Sequence, residues 1–160
     1  MKPNEYGENY SAHLLEQYKL YVEMADRISQ RRDQSNRFYA SLLAGMIALL
    51  VILARLNISN DVWAVVFLVG GLFGSFLSVV WLVNIRSYRS LNTAKFTVIN
   101  KLEKSLPAQG YSDEWNLLRP PDDSPKYFQL TRVEQFIPVI MFLLFFGLVI
   151  YSVAQLIFDH

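Results

Sequence analysis

The sequence predicts an all-α integral membrane protein with three transmembrane helices, the first two extended into a long cytoplasmic helical hairpin. Three observations lead there. Residues 38–54, 62–83 and 136–158 are apolar runs without one charged side chain. Of 160 residues, 52% are hydrophobic and only 18% charged, against roughly 25% charged in an average soluble domain. No Pro or Gly interrupts the chain from Glu8 to Ala44 or from Ser75 to Leu106, so helix continues well beyond the first two runs.

Crossing about 30 Å of hydrocarbon takes about 20 helical residues. The second and third runs reach that length, and the 17 residues of the first fall inside the usual range of about 17–25. A soluble chain of this size could hardly bury three such helices on every side. The first run starts too late for a signal peptide and is read as retained. Lys and Arg set the orientation. Six precede Phe38, one lies in 55–61, eight lie in 84–135 and none follows Phe158. The expected order is therefore a cytoplasmic N-terminal helix (1–37), a first span (38–54), a periplasmic turn (55–61), a second span (62–83), a cytoplasmic helix and Pro-rich return segment (84–135), a third span (136–158) and a periplasmic tail (159–160). The membrane expected is the bacterial inner membrane.

In the first helix Leu14, Tyr18, Tyr21, Ala25 and Ile28 recur at heptad spacing. Such a seam packs on another helix or another subunit. Its register continues through Arg32 and Ser35 to Tyr39, Leu42, Met46, Leu49 and Leu53. Beyond the second span, Leu91, Ala94, Val98, Leu102 and Leu106 share a face, with Lys95, Lys101, Glu103 and Lys104 mostly off it. Pro107 stops that helix. In the return segment Ser112 is read as an N-cap, with Asp113 and Glu114 in the first turn. Trp115 and Leu118 are expected to anchor this short helix, and Pro120, Pro121 and Pro125 to keep the remainder extended.

The second span carries Gly70, Gly74 and Ser78 four residues apart, with Gly71 and Ser75 beside them. Ala40, Ala44 and Ala48 repeat that spacing in the first span. Small residues so placed let helices approach closely in lipid; the contact is either between subunits or within one. Thr131-x-x-Glu134 is read as a capping box at the start of the third helix. A salt bridge from Glu134 to a basic residue at the same membrane level, such as Arg37 or Arg89, is the alternative. Pro138 is expected to kink the span. Arg31, Arg32, Arg37, Arg86 and Arg89 flank the membrane and are read as contacts to anionic lipid headgroups.

Chemistry-bearing patterns are missing. The chain has no cysteine, and its two histidines, His13 and His160, lie at opposite ends. That excludes disulfides and iron–sulfur clusters and argues against a histidine zinc site. A net charge of +1 gives no field for nucleic acid. No phosphate-cradling glycine loop or catalytic motif is present. No enzymatic activity and no cofactor is expected.

The stretches YKLYVEMADRISQRRDQSNRFYASL, LNTAKFTVINKLEKSLPAQGYSDEW and LTRVEQFIPVIMFLLF, within residues 15–145, resemble the RipA-like family of small octameric bacterial inner-membrane proteins. The resemblance implies a homo-octamer. It supplies no activity and no site residues. The long hairpin is also similar to SLATT-type antiphage effectors, which would imply a pore. A third span sets this chain apart from them, and no fused sensor domain is expected. The expectation is a non-enzymatic membrane scaffold or interaction platform in contact with lipid and with its own copies, the alternative a pore-forming effector.

Overall fold

The structure, a computed structural model, describes residues 6–56, 59–118 and 130–158. Among them are four helices and no strand: α1 (Tyr10–Leu53), α2 (Asn60–Glu103), α3 (Gly110–Leu118) and α4 (Leu130–Phe158). The fold class is the one expected. Helices α1 and α2 hold 44 residues each, over twice the about 20 that cross a bilayer. α1, α2 and α4 are all long and apolar enough to span. Residues 119–129 of the return segment, on which the expectation for Pro120, Pro121 and Pro125 falls, and the tail, 159–160, lie outside the described residues.

The chain divides into two units. A polar unit holds the chain up to Arg31 and from Tyr88 through α3; an apolar unit holds Arg32–Ser87 and α4.

The core of the apolar unit is Leu43, Trp81, Ile85 and Phe145, with Tyr39, Met46, Leu50, Leu77 and Met141 packed round it. All three spans contribute, and α2 is the most enclosed of them. The expected α1 seam slips here. Leu49 is exposed, whereas Leu43 is fully buried and Leu50 packs on the core. A helix at 3.6 residues per turn drifts about 20° per heptad from a strict 3.5 repeat. After four heptads the inward positions have moved round by one residue.

In the polar unit Ala25, Ile99 and Glu103 are buried. On α2 the inward row is Asn92, Phe96, Ile99 and Glu103. Of the expected row, Leu91 and Ala94 are exposed while Val98, Leu102 and Leu106 are half-buried beside it. Apolarity set the face off-centre because one of its two fully buried members, Glu103, is an acid. Past Glu103 the amides of Ser105 and Leu106 donate to the carbonyls of Leu102 and Glu103 (3.0 and 2.9 Å). These tight turns close the helix before Pro107, which has no N–H to extend it.

Candidate functional site

The polar unit is organised by Glu103. Its carboxylate is fully buried and meets three donors: the Tyr18 hydroxyl at 3.0 Å, the Tyr111 amide at 3.0 Å and the Ser112 amide at 3.3 Å. A carboxylate only accepts, and an all-donor shell is its complement. The first amides of a helix have no partner within it. At α3 those of Tyr111 and Ser112 are satisfied by an acid from the previous helix, which also sits at the positive end of the helix dipole.

Ser112 is therefore not the cap expected of it. α3 starts at Gly110, the Asp113 amide reaches the Gln109 carbonyl at 2.9 Å, and Ser112 lies inside the first turn. Of the two expected anchors Trp115 is about half exposed and Leu118 half-buried, and no residue of α3 is fully buried. The helix is held from its start, by Glu103 and by the edge-on contact of Tyr111 with Phe96, 5.5 Å between centroids.

The rest of the seam assembles round this knot. Tyr18 and Ile28 are half-buried and Ala25 is buried. Lys95 reaches back to α1, its Nζ 4.9 Å from the centre of the Tyr21 ring and 3.4 Å from the Met24 sulfur. Such a cation over a ring is worth roughly 0.5–2 kcal/mol.

Burial, then the hydrogen bond to Glu103 and its charge, push the Tyr18 phenol up to about 12. Burial, with Asp26, Glu114 and Glu103 behind it, also raises Tyr111. A phenol whose pKa rises on folding stabilises the fold fully below its unfolded value near 10, and that contribution is lost as pH climbs through about 12. Tyr18 should therefore ionise last in an ultraviolet absorbance titration, with Tyr111 also delayed, and Tyr18→Phe should remove the last phase. A titration with every tyrosine ionising near 10 would contradict it.

In the apolar unit a polar layer joins the same three helices. Trp81 Nε1 donates to Asn36 Oδ1 at 2.9 Å, and Asn84 Nδ2 to Ser35 Oγ at 3.1 Å. The Trp81 ring stacks on Tyr39. Glu134 Oε1 lies 3.8 Å from Arg32 Nη2, both side chains largely shielded. The ion pair is of the kind the sequence offered as the alternative, with Arg32 in place of Arg37 or Arg89, its two examples. Arg37 instead pairs with Asp33 one turn back, at 2.8 Å, and Arg31, Arg86 and Arg89 are exposed. The Thr131 side chain, the other half of the proposed capping box, lies outside the described residues.

The small residues of α2 face two directions. A Cβ on Gly71 would come within 2.8 Å of the Phe145 carbonyl oxygen, and one on Gly74 would run into the Phe145 ring. One on Gly70 would make only ordinary contact with Leu50 of α1. Ser75 and Ser78 are buried, and the Ser78 hydroxyl donates to the Gly74 carbonyl at 2.8 Å. This stripe seats α4 of the same chain. On α1, by contrast, Ala40, Ala44, Gly45 and Ala48 are exposed, with open space over Gly45.

Three spanning helices and a broad exposed apolar surface are the geometry of a membrane protein with surface left for neighbours, and a family model, octameric membrane protein family (8xMP), matches residues 15–154. The chain belongs to the 8xMP family. The match takes in α2 and α3 whole and nearly all of α1 and α4. No curated protein and no solved structure matches the chain. As an 8xMP member it is a membrane protein of an oligomeric family, in keeping with the small octameric membrane proteins it resembled by sequence. The residues that sequence reasoning missed are Glu103, Asn36 and Asn84. Glu103 had a signal: Asn92, Phe96, Ile99 and Glu103 repeat at helical spacing, visible once an acid is allowed on an inward face.

Proposed function

We propose that this chain is the subunit of a bacterial inner-membrane homo-octamer that serves as a non-enzymatic scaffold or interaction platform. The observation that carries the reading is the character of the surface the spans leave open. The large side chains exposed there are apolar: Leu49, Val51 and Ile52 on α1, Val69, Phe73 and Phe76 on α2, Ile140, Leu143 and Ile150 on α4. Of the span serines, Ser78 and Ser152 bond to carbonyls of their own helices, and Ser75 is buried away from the open surface. A wet pathway needs rings of carbonyl, charged or hydroxyl groups; surfaces like these suit lipid and neighbouring copies. Copies meet, in this reading, on the exposed small face of α1 at Ala40, Ala44, Gly45 and Ala48, where close approach costs little.

The decisive experiment is dye release from vesicles carrying the purified oligomer. The scaffold reading expects release no faster than from empty vesicles; rapid release on reconstitution would favour the pore-forming effector. Orientation is tested separately. With the basic segments inside, a reporter after His160 should work in the periplasm and one near Gly110 in the cytoplasm, and the opposite pattern would overturn the topology.

A further inference from the structure

We propose that the groove between α2 and α4 holds one acyl chain of an anionic phospholipid whose phosphate is bound by Arg86. The groove is lined by Ser78, Val79, Leu82, Pro138, Val139 and Phe142 and has a volume of about 200 Å³. Its one hydroxyl, on Ser78, is already donated to the Gly74 carbonyl, so the walls offer an occupant no free donor. Pockets for whole small molecules run roughly 300–1,000 Å³, whereas a single water takes about 30 Å³. A stretch of hydrocarbon chain fits between those limits, and the surrounding bilayer supplies it.

The headgroup end follows from helical spacing. Val79, Leu82 and Arg86 fall at intervals of three and four on α2, so Arg86 stands on the groove's face, about 6 Å beyond Leu82. Its side chain is exposed and has no acidic partner among the described residues. The Asn84–Ser35 hydrogen bond puts this part of α2 level with Arg32 and Asp33 of α1.

Charge decides between a lipid and a second copy as occupant. Copies in a closed ring about the membrane normal stand at one level. At this level the apolar unit has two acids, each already in an ion pair of its own chain: Asp33 in an exposed pair with Arg37, and Glu134 through one oxygen with Arg32, its other oxygen being buried away from any neighbour. A neighbour's apolar unit thus brings no free carboxylate to Arg86, while an anionic lipid brings a phosphate, the group a guanidinium binds in bidentate fashion. The inference does not depend on the scaffold reading.

The intact oligomer is reconstituted in bilayers of equal parts phosphatidylglycerol and phosphatidylcholine, extracted into mild detergent and weighed by native mass spectrometry. Phosphatidylglycerol should be retained about fivefold over phosphatidylcholine, the preference one basic residue confers near an anionic surface. Arg86→Gln, at an exposed position, should abolish that preference with the oligomer mass unchanged, and Arg86→Lys should keep part of it. Val139→Trp, which fills the groove, should remove both lipids. Equal retention of the two lipids by the parent, or an undiminished preference in Arg86→Gln, would overturn the proposal. So would lipid retained by Val139→Trp, or an oligomer split by that variant while lipid stays, which would assign the groove to a neighbouring copy.

Discussion

Replacing Glu103 with alanine should free the start of α3 and cost the polar unit about 3 kcal/mol. The substitution removes a buried acceptor of three hydrogen bonds. Bonds to a charged group contribute roughly 1.5–3 kcal/mol each, and donors left buried without a partner cost roughly 1–3 kcal/mol. Water reaching the loosened amides offsets part of that, hence the lower total. Glu103→Gln should fall between, since its amide nitrogen meets donors where the carboxylate had met them with oxygen. The measurement is amide hydrogen exchange at Tyr111 and Ser112, which should lose protection before the apolar unit does. Unchanged protection at both amides in Glu103→Ala would show that the carboxylate is not what caps α3.

Gly74→Leu should act on the apolar unit. The Cβ of any larger residue there collides with the Phe145 ring, which is fully buried and has no room to swing away. Overpacking of this kind costs roughly 1–3 kcal/mol, and in lipid no hydrophobic effect restores a contact once the backbones part. α4 should become protease-sensitive while insertion into the membrane stays normal. Adding Phe145→Ala should return part of the loss, a coupling that a double-mutant cycle reads directly. Gly45→Leu has open space around it within the chain. It should leave the subunit intact and, if copies meet on α1, reduce the oligomer. A Gly74→Leu subunit as protease-resistant as the parent would mean that the α2–α4 contact gives way freely.

What was legible in the sequence and what was not divide along a physical line. The spans could be read because hydrocarbon demands long uncharged runs, and 38–54, 62–83 and 136–158 satisfy the demand locally. The end of α2 could be read because Pro107 acts on its own backbone. The knot at Glu103 was hidden because its donors, Tyr18 and the amides of α3, are brought to it only by the fold, and the rule that acids face water points the wrong way. The direction of the small residues was open for the same reason. Gly71 and Gly74 announce close approach but not to whom; Phe145 answers only in three dimensions. The Leu49-to-Leu50 slip came from extending a 3.5 repeat through a long α-helix.

The division of the polar unit between two distant segments bears on the order in which the chain matures. Tyr18 and Glu103 are 85 residues apart, and Arg32–Ser87, between its two halves, belongs to the other unit. Closing so long a loop in a free chain costs entropy that grows with the logarithm of its length. Synthesis from the N-terminus makes α1 long before Glu103 exists. Once the first two spans are inserted as antiparallel neighbours, membrane anchoring has already removed most of that search. Biogenesis should therefore run from insertion of the spans, through pairing of the polar helices, to the closing of α3 onto Glu103. A nascent chain stalled before Glu103 leaves the ribosome should present Tyr18 unprotected, its partner not yet made.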